Sequence, residues 1–181
     1  MDDLQAWLER MATESLPGGI SAAALAASMG AALVAKVALI SRQRQALAPD
    51  LDRQLAGLAN LARARCRELN RLVAEDEAAY RLVMDARDLS PAAAGRQQAW
   101  AAATRSPLAT AEACHAVLAR LADLESAILP LVAVDLAIGR QLLEMGRQAG
   151  LQVAEENLQT WGAGLEAAPL RARLDLLRRE I

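Results

Sequence analysis

Residues 51–87 read LDRQLAGLANLARARCRELNRLVAEDEAAYRLVMDAR. Leu51, Leu55, Leu58, Ala62, Cys66, Leu69, Leu72, Asp76, Tyr80 and Val83 recur along this stretch at three-and-four spacing. That recurrence follows the 3.6-residue period of an α-helix, and a strand, whose faces alternate every second residue, has no use for it. Arg63, Arg65, Arg67 and Glu68 sit largely off the line. About ten turns of unbroken amphipathic helix set the expectation for the rest of the chain, which is an all-α fold.

The flanking sequence agrees. More than half of the 181 residues are hydrophobic, but most of these are Ala and Leu; Phe is absent, and the aromatics are Trp7, Tyr80, Trp100 and Trp161. Ala and Leu cost least in a helix, whereas strand formers are scarce. Prolines and glycines divide the chain into pieces of helical length. Residues 2–14 carry Leu4, Trp7, Leu8 and Met11 on one face, and Ser15-Leu16-Pro17-Gly18-Gly19 then breaks the pattern as a tight connection. An apolar helix is expected from about 20 to 46, stopping before Pro49, with Asp50 placed to cap the long helix that follows. Leu89 to Gly95 reads as a loop. A short helix is expected over 96–104, and a separate one from Pro107 to about 128 with Ser106 as its cap. After Pro130 a long helix runs from Leu131 to Trp161, with Gly162 and Gly164 ending it, and an amphipathic helix begins near Leu170. No internal repeat divides the chain, so residues 1–181 are expected to form a single-domain bundle of long antiparallel helices with short links.

The formal net charge of −2 leaves no basic footprint for nucleic acid. Met1-Asp2-Asp3 has the wrong charge to start a signal peptide, and Cys66 and Cys114 read as buried free thiols of a reducing compartment, although a disulfide between them stays open. The stretch Ile20–Ile40 is long enough to cross a membrane. Its Ala, Gly and Ser give little drive toward lipid, and Lys36 lies within it, so a core helix is the better reading. A cytoplasmic protein with neither a nucleic-acid nor a membrane partner is expected.

Three ionisable side chains stand where the periodicity asks for apolar ones: Lys36, Asp76 and Asp135. An isolated charge out of water costs several kcal/mol, so such groups are paired, shifted in pKa or functional. The plainer alternative is structural, either Lys36 paired with one of the acids or a subunit contact. His115 has no companion at metal-ligand spacing, and no CxxC, HExxH, phosphate loop or nucleophile elbow is present, so no metal site is expected. Gly18, Gly19 and Ser21 form a possible anion-binding helix start or a plain turn.

Several stretches together resemble the cyclodeaminase/cyclohydrolase family, which includes formiminotetrahydrofolate cyclodeaminase and methenyltetrahydrofolate cyclohydrolase. Leu16-Pro17-Gly18-Gly19-Ile20-Ser21 with Met29-Gly30-Ala31-Ala32-Leu33 is similar to its N-terminal signature. Leu72-Val73-Ala74-Glu75-Asp76-Glu77 resembles its acidic segment, and Ala103-Thr104-Arg105-Ser106-Pro107 its threonine-to-proline junction. Val134-Asp135-Leu136 resembles its serine-aspartate segment, and Asn157 its late asparagine. The chain departs from the pattern where Ile20 replaces a third glycine, Val134 the serine, and Leu39-Ile40-Ser41-Arg42-Gln43-Arg44 the family's asparagine and lysine-rich turn, and its loop near residue 90 is short.

The resemblance implies a helical fold and a folate-type small molecule as substrate, with no cofactor besides it. It implies first the hydrolysis of 5,10-methenyltetrahydrofolate to 10-formyltetrahydrofolate. Ammonia release from formiminotetrahydrofolate is the alternative, and a non-catalytic helical interaction protein keeping the fold is a further one. On this reading Asp135 and Asp76 are the catalytic candidates, acting either as base or as the clamp on a pterin edge. Gly18, Gly19, Ser21, Lys36 and Arg42 are the folate-binding candidates, the two cations for the glutamate tail. A homodimer with the site near its interface is implied as well.

Overall fold

A computed structural model describes residues 2–161 and 166–181. Six α-helices follow in order: α1 Asp2–Thr13, α2 Gly19–Arg44, α3 Pro49–Asp85, α4 Ala94–Ala122, α5 Ala133–Trp161 and α6 Ala167–Arg179, with two 3₁₀ turns, Glu125–Ala127 and Pro130–Val132, between α4 and α5. The expected stop at Gly162 and Gly164 lies outside the described residues.

Among the boundaries that differ from expectation, such as the end of α4 at Ala122 rather than about 128, two have a clear physical reason. Pro49 does not precede α3 but opens it, with Ala48 as the N-cap and Asp50 and Asp52 in the first turn. A proline costs a helix nothing there, because the amide it lacks has no acceptor in the first turn, and acids favour the positive end of the helix dipole. More consequential is α4, a single helix with Pro107 inside it, where two helices and a Ser106 cap were expected. An interior proline removes the hydrogen bond to the carbonyl four residues earlier, here Ala103. That carbonyl is not left bare, since Asn157 Nδ2 of α5 donates to it at 2.9 Å. The lost bond is replaced from a neighbouring helix, and α4 continues.

Helices α2 to α5 form an up-and-down bundle in which each packs on two neighbours, in the cyclic order α2, α3, α4, α5. Antiparallel pairing of α2 and α3 is marked by three contacts along their length: Ser21 with Asp76, Ser28 with Asn70, and Arg42 with Asp52. The core joins Ala24, Ala27, Ala31 and Val34 of α2 to Leu55, Leu58, Leu69 and Leu72 of α3, with Val117 and Leu143 from α4 and α5. α2 is long and apolar enough to cross a bilayer by length and composition. In the bundle 13 of its 26 residues are buried, and its small side chains allow close helix approach.

Glycines on one face of α5 set that closeness. A Cβ at Gly139 would lie 3.1 Å from the Gly30 carbonyl oxygen, one at Gly146 2.6 Å from Ala27 Cβ, and one at Gly150 2.4 Å from the Pro107 carbonyl oxygen. Cys114 is packed in this region, and burial pushes its thiol up to about 12; both cysteines are free. A second, smaller core holds α6 on α4 and α5 through Leu170, Leu174 and Leu177 against Leu108, Ala154, Leu158 and Trp161. α1 is tied to α3 by polar bonds, Trp7 Nε1 and Arg10 Nη2 both donating to the buried Glu77 at 3.3 and 2.9 Å.

Candidate functional site

The α1–α2 connection and helices α3, α4 and α5 meet at one end of the bundle around a cavity of about 340 Å³, within the usual size of a small-molecule site. Asp76, Tyr80 and Val83 reach it from α3, Trp100 and Ala103 from α4, and Val153 and Asn157 from α5. Each set is spaced by three or four residues, as one helical face requires. Ser15, Leu16, Gly18, Gly19 and Ile20 close the remaining side. Asp76 is the one charged side chain lining the cavity among the described residues.

α2 starts at this wall. Gly18 is its N-cap and supplies no side-chain cap, and the first intrahelical bond runs from the Ala22 amide to the Gly18 carbonyl at 3.1 Å. The amides of Gly19, Ile20 and Ser21 therefore have no acceptor within the helix, at the positive end of a 26-residue dipole. No glycine has a positive φ among the described residues, so these two are not required by backbone angle. Their use is openness. A Cβ at Gly18 or Gly19 would meet nothing within 4 Å, so the missing side chains leave room beside the amides.

Asp76 sits opposite this helix start. Ser21 Oγ donates to Asp76 Oδ2 at 2.7 Å. Burial raises the Asp76 carboxyl above its ordinary value, and the neighbouring Glu77 charge adds to the rise; the hydroxyl and backbone N–H of Ser21 pull the other way. Desolvation wins, which makes Asp76 a carboxylate that holds a proton more readily than a surface acid does. Across the cavity Asn157 spends its Nδ2 on the Ala103 carbonyl, which fixes the amide plane and leaves Oδ1 as an acceptor. The Trp100 and Tyr80 rings add flat apolar walls.

Of the residues expected from the sequence, the structure brings together Gly18, Gly19 and Asp76 on the cavity wall, with Ser21 bonded to Asp76. It does not bring Asp135, Lys36 or Arg42. Lys36 Nζ donates to Asp135 Oδ2 at 2.7 Å, with side chains 54% and 35% exposed, so neither is the buried charge that periodicity suggested. Lys36 lies fifteen residues along α2 from Ser21, or roughly 22 Å at the helical rise. The plainer alternative, a pairing of Lys36 with one of the acids, describes them. Arg42 makes a two-pronged contact to Asp52, at 2.8 and 2.9 Å; their hydrogen bonds raise the guanidinium pKa and lower that of the carboxyl. The carboxylates expected to converge, Asp76 and Asp135, stand at different places along the bundle.

Trp100 was not singled out by the sequence, and the Ala103 carbonyl had one signal that was there to read. Pro107 stands four residues after Ala103 in a stretch of helical composition, and a proline so placed frees that carbonyl for an outside donor.

Comparison with known proteins follows the same lines. The family model for formiminotransferase-cyclodeaminase matches residues 3–169. Among solved structures, the chain is similar to formiminotetrahydrofolate cyclodeaminase from Thermotoga maritima, with a TM-score of 0.87 and 18% identity over 98% of this chain and 88% of that one. At that identity the likeness speaks for the fold. No curated protein sequence matches the chain. With the family model spanning nearly all of the helical bundle, the chain belongs to the formiminotransferase-cyclodeaminase family.

Proposed function

We propose that this protein acts on the one-carbon unit carried between N5 and N10 of a tetrahydrofolate, and that its reaction is ring closure of 5-formiminotetrahydrofolate with release of ammonia. The observation that carries the reading is the half-buried Asp76 carboxylate, bonded to Ser21 at the α2 helix start and lining a cavity with flat aromatic walls. Family membership and the named activity of the structural neighbour support it.

The proton bookkeeping favours ring closure over methenyl hydrolysis, which the sequence resemblance placed first. In ring closure N10 attacks the protonated formimino carbon, and the N10–C bond forms. The N10 proton must leave, and the departing amino group needs one proton to go as ammonia. One carboxylate can take the first and return the second, ending as it began. Hydrolysis of the methenyl cation consumes water and ends with a surplus proton, which a lone half-buried carboxylate must then pass to solvent. Hydrolysis remains the second reading, favoured by the same raised carboxyl acting as base toward water. In either case Asn157 Oδ1 and the α2 amides hold the polar edge of the pterin, and its rings lie along Trp100 and Tyr80. Neither reaction calls on a metal or a redox cofactor.

The two readings move one chromophore in opposite directions. Purified protein given 5-formiminotetrahydrofolate is expected to raise the near-ultraviolet absorbance of the methenyl product and to release ammonia in equal amount. Loss of that absorbance from added methenyltetrahydrofolate, without ammonia chemistry, selects hydrolysis. Acceleration of neither over buffer returns the chain to a non-catalytic interaction role and ends the proposal.

Ser21→Ala supplies a finer test. The hydroxyl stabilises the Asp76 anion, so its loss raises the carboxyl pKa further. The acid limb of kcat/KM, set by a base that must be ionised in the free enzyme, is expected to move to higher pH. An unmoved limb would separate Asp76 from the rate-controlling proton.

The reading includes a cytoplasmic location and a homodimer. Supporting the dimer, Leu131, Val134, Ile138 and Met145 of the α5 side lie at helical spacing and are 71%, 73%, 44% and 40% exposed, a stripe unlike an ordinary solvated face. Sedimentation velocity of the wild type beside Val134→Glu, with only the variant shifted to the monomer mass, is the outcome that supports it; a monomeric wild type removes it.

A further inference from the structure

Trp100, a wall of the cavity assigned to the pterin, is also a wall of a second one of about 630 Å³. The pterin is about half of a folate; the remainder is a p-aminobenzoyl ring ending in a glutamate with two carboxylates. Lys36 and Arg42, the cations expected to meet that glutamate, are bound to Asp135 and Asp52 instead. The tail therefore needs other cations close to the first cavity.

The second cavity has two. Arg96 enters from α4 and Arg171 from α6. Arg96 Nη1 donates to the carbonyls of Arg87 and Leu89 at 3.1 and 2.8 Å, and Arg171 Nη2 to the carbonyl of Leu158 at 3.2 Å. Each guanidinium is thus held in place by neutral acceptors through one nitrogen, with its other N–H groups unspent. Among the described residues neither has a carboxylate within 4 Å, unlike Arg71, Arg105 and Arg173, which line a groove between α3 and α4 and are each paired with a glutamate. The residues between Trp161 and Glu166 are Gly, Ala, Gly and Leu, which bring no acidic side chain. Two anchored guanidiniums with no carboxylate in contact, beside two tryptophans, Trp100 and Trp161, make a surface for an aromatic carboxylate.

We infer that this second cavity receives the p-aminobenzoyl-glutamate arm of the folate, its ring along Trp100 and its carboxylates on Arg96 and Arg171. The inference rests on the folate reading of the first cavity and adds to it a basis for selecting glutamylated pterins over free ones.

The test compares tetrahydrofolate with 6-methyltetrahydropterin, which lacks the arm, by titration calorimetry on wild type and on the Arg96→Gln/Arg171→Gln double variant. The double variant is expected to bind tetrahydrofolate about 10- to 100-fold more weakly, from the loss of charge-assisted hydrogen bonds, and the pterin with unchanged affinity. Wild-type affinity for tetrahydrofolate in the double variant would overturn the inference and leave the pterin site standing. Equal loss of both ligands would also overturn it, because the arginines would then be holding helices rather than the arm. Failure of the wild type to bind either ligand would remove the first-cavity reading itself. If the double variant does not fold, p-aminobenzoyl-glutamate is titrated into the wild type alone. Displacement by tetrahydrofolate but not by the pterin supports the arm site, and no such displacement sinks it.

Discussion

Asp76→Asn is expected to lower kcat for the folate reaction by about 10²- to 10⁴-fold while leaving the protein at least as stable as wild type at neutral pH. The loss follows from chemistry, because an amide accepts a hydrogen bond but cannot take a proton from N10 and hand it back. The stability side follows from linkage. Burial puts the folded-state pKa of Asp76 above its ordinary value, so between the unfolded and folded values the native state binds more protons than the unfolded one. Unfolding free energy then falls as pH rises through that window, and above it the full cost of a buried anion is present. Asn carries no such cost and can still accept the bond from Ser21 Oγ. Its advantage is expected to be largest near neutrality and to vanish below the ordinary aspartate pKa of about 3.9. Urea denaturation at both pH values, beside kcat from initial rates, measures the two effects. A variant with wild-type turnover would strip Asp76 of its proton-carrying role. One that is inactive and also less stable at neutral pH would make it a structural acid.

How far the sequence reveals this arrangement depends on the kind of information each feature needs. The helices were legible because periodicity is local, and α3 announces itself over 37 residues. Pro107 misled because its local effect, a lost hydrogen bond, is offset by a side chain 50 residues later in the chain, Asn157. Asp76 and Asp135 look alike in sequence, each an acid on an apolar line. What separates them is the neighbour that the bundle supplies: Ser21 and a cavity for one, an exposed lysine for the other. Burial on a helix stripe is a guess about the rest of the fold, and at the outer face of α5 that guess failed. The family motifs placed Gly18, Gly19 and Asn157 where physical patterning alone had little to say about them, since two glycines in a loop and one asparagine in a helix are common. Arg96, Arg171 and Trp100 carried no signal, because their meaning lies in which carboxylates are not beside them.

Gly150→Ala is expected to destabilise the bundle by about 1–3 kcal/mol, whereas Gly57→Ala is expected to stabilise it by about 0.5–1 kcal/mol. The same methyl group is added to a helix interior in both cases, and alanine's better helix propensity works in its favour in both. The difference is what the methyl meets. At Gly57, on the exposed side of α3, it meets nothing within 4 Å; at Gly150 it meets the Pro107 carbonyl oxygen at 2.4 Å, the Ala111 amide nitrogen at 2.9 Å and the Ala111 Cβ at 3.0 Å. Two of those three are backbone of α4, so no rotamer change relieves the contact, and the helices themselves must part. Gly150 stands seven residues, or two turns, before Asn157 on α5, as Pro107 stands four after Ala103 on α4. Parting the helices at Gly150 thus pulls on the Asn157 bond to the Ala103 carbonyl and on the wall of the cavity two turns away. KM for the folate is therefore expected to rise along with the loss of stability, while Gly57→Ala leaves KM alone. Thermal or urea unfolding of the two variants side by side decides the matter. If Gly150→Ala stabilises the protein as Gly57→Ala does, then α4 and α5 are not in close contact at Gly150, and the support for Asn157 in the site goes with them.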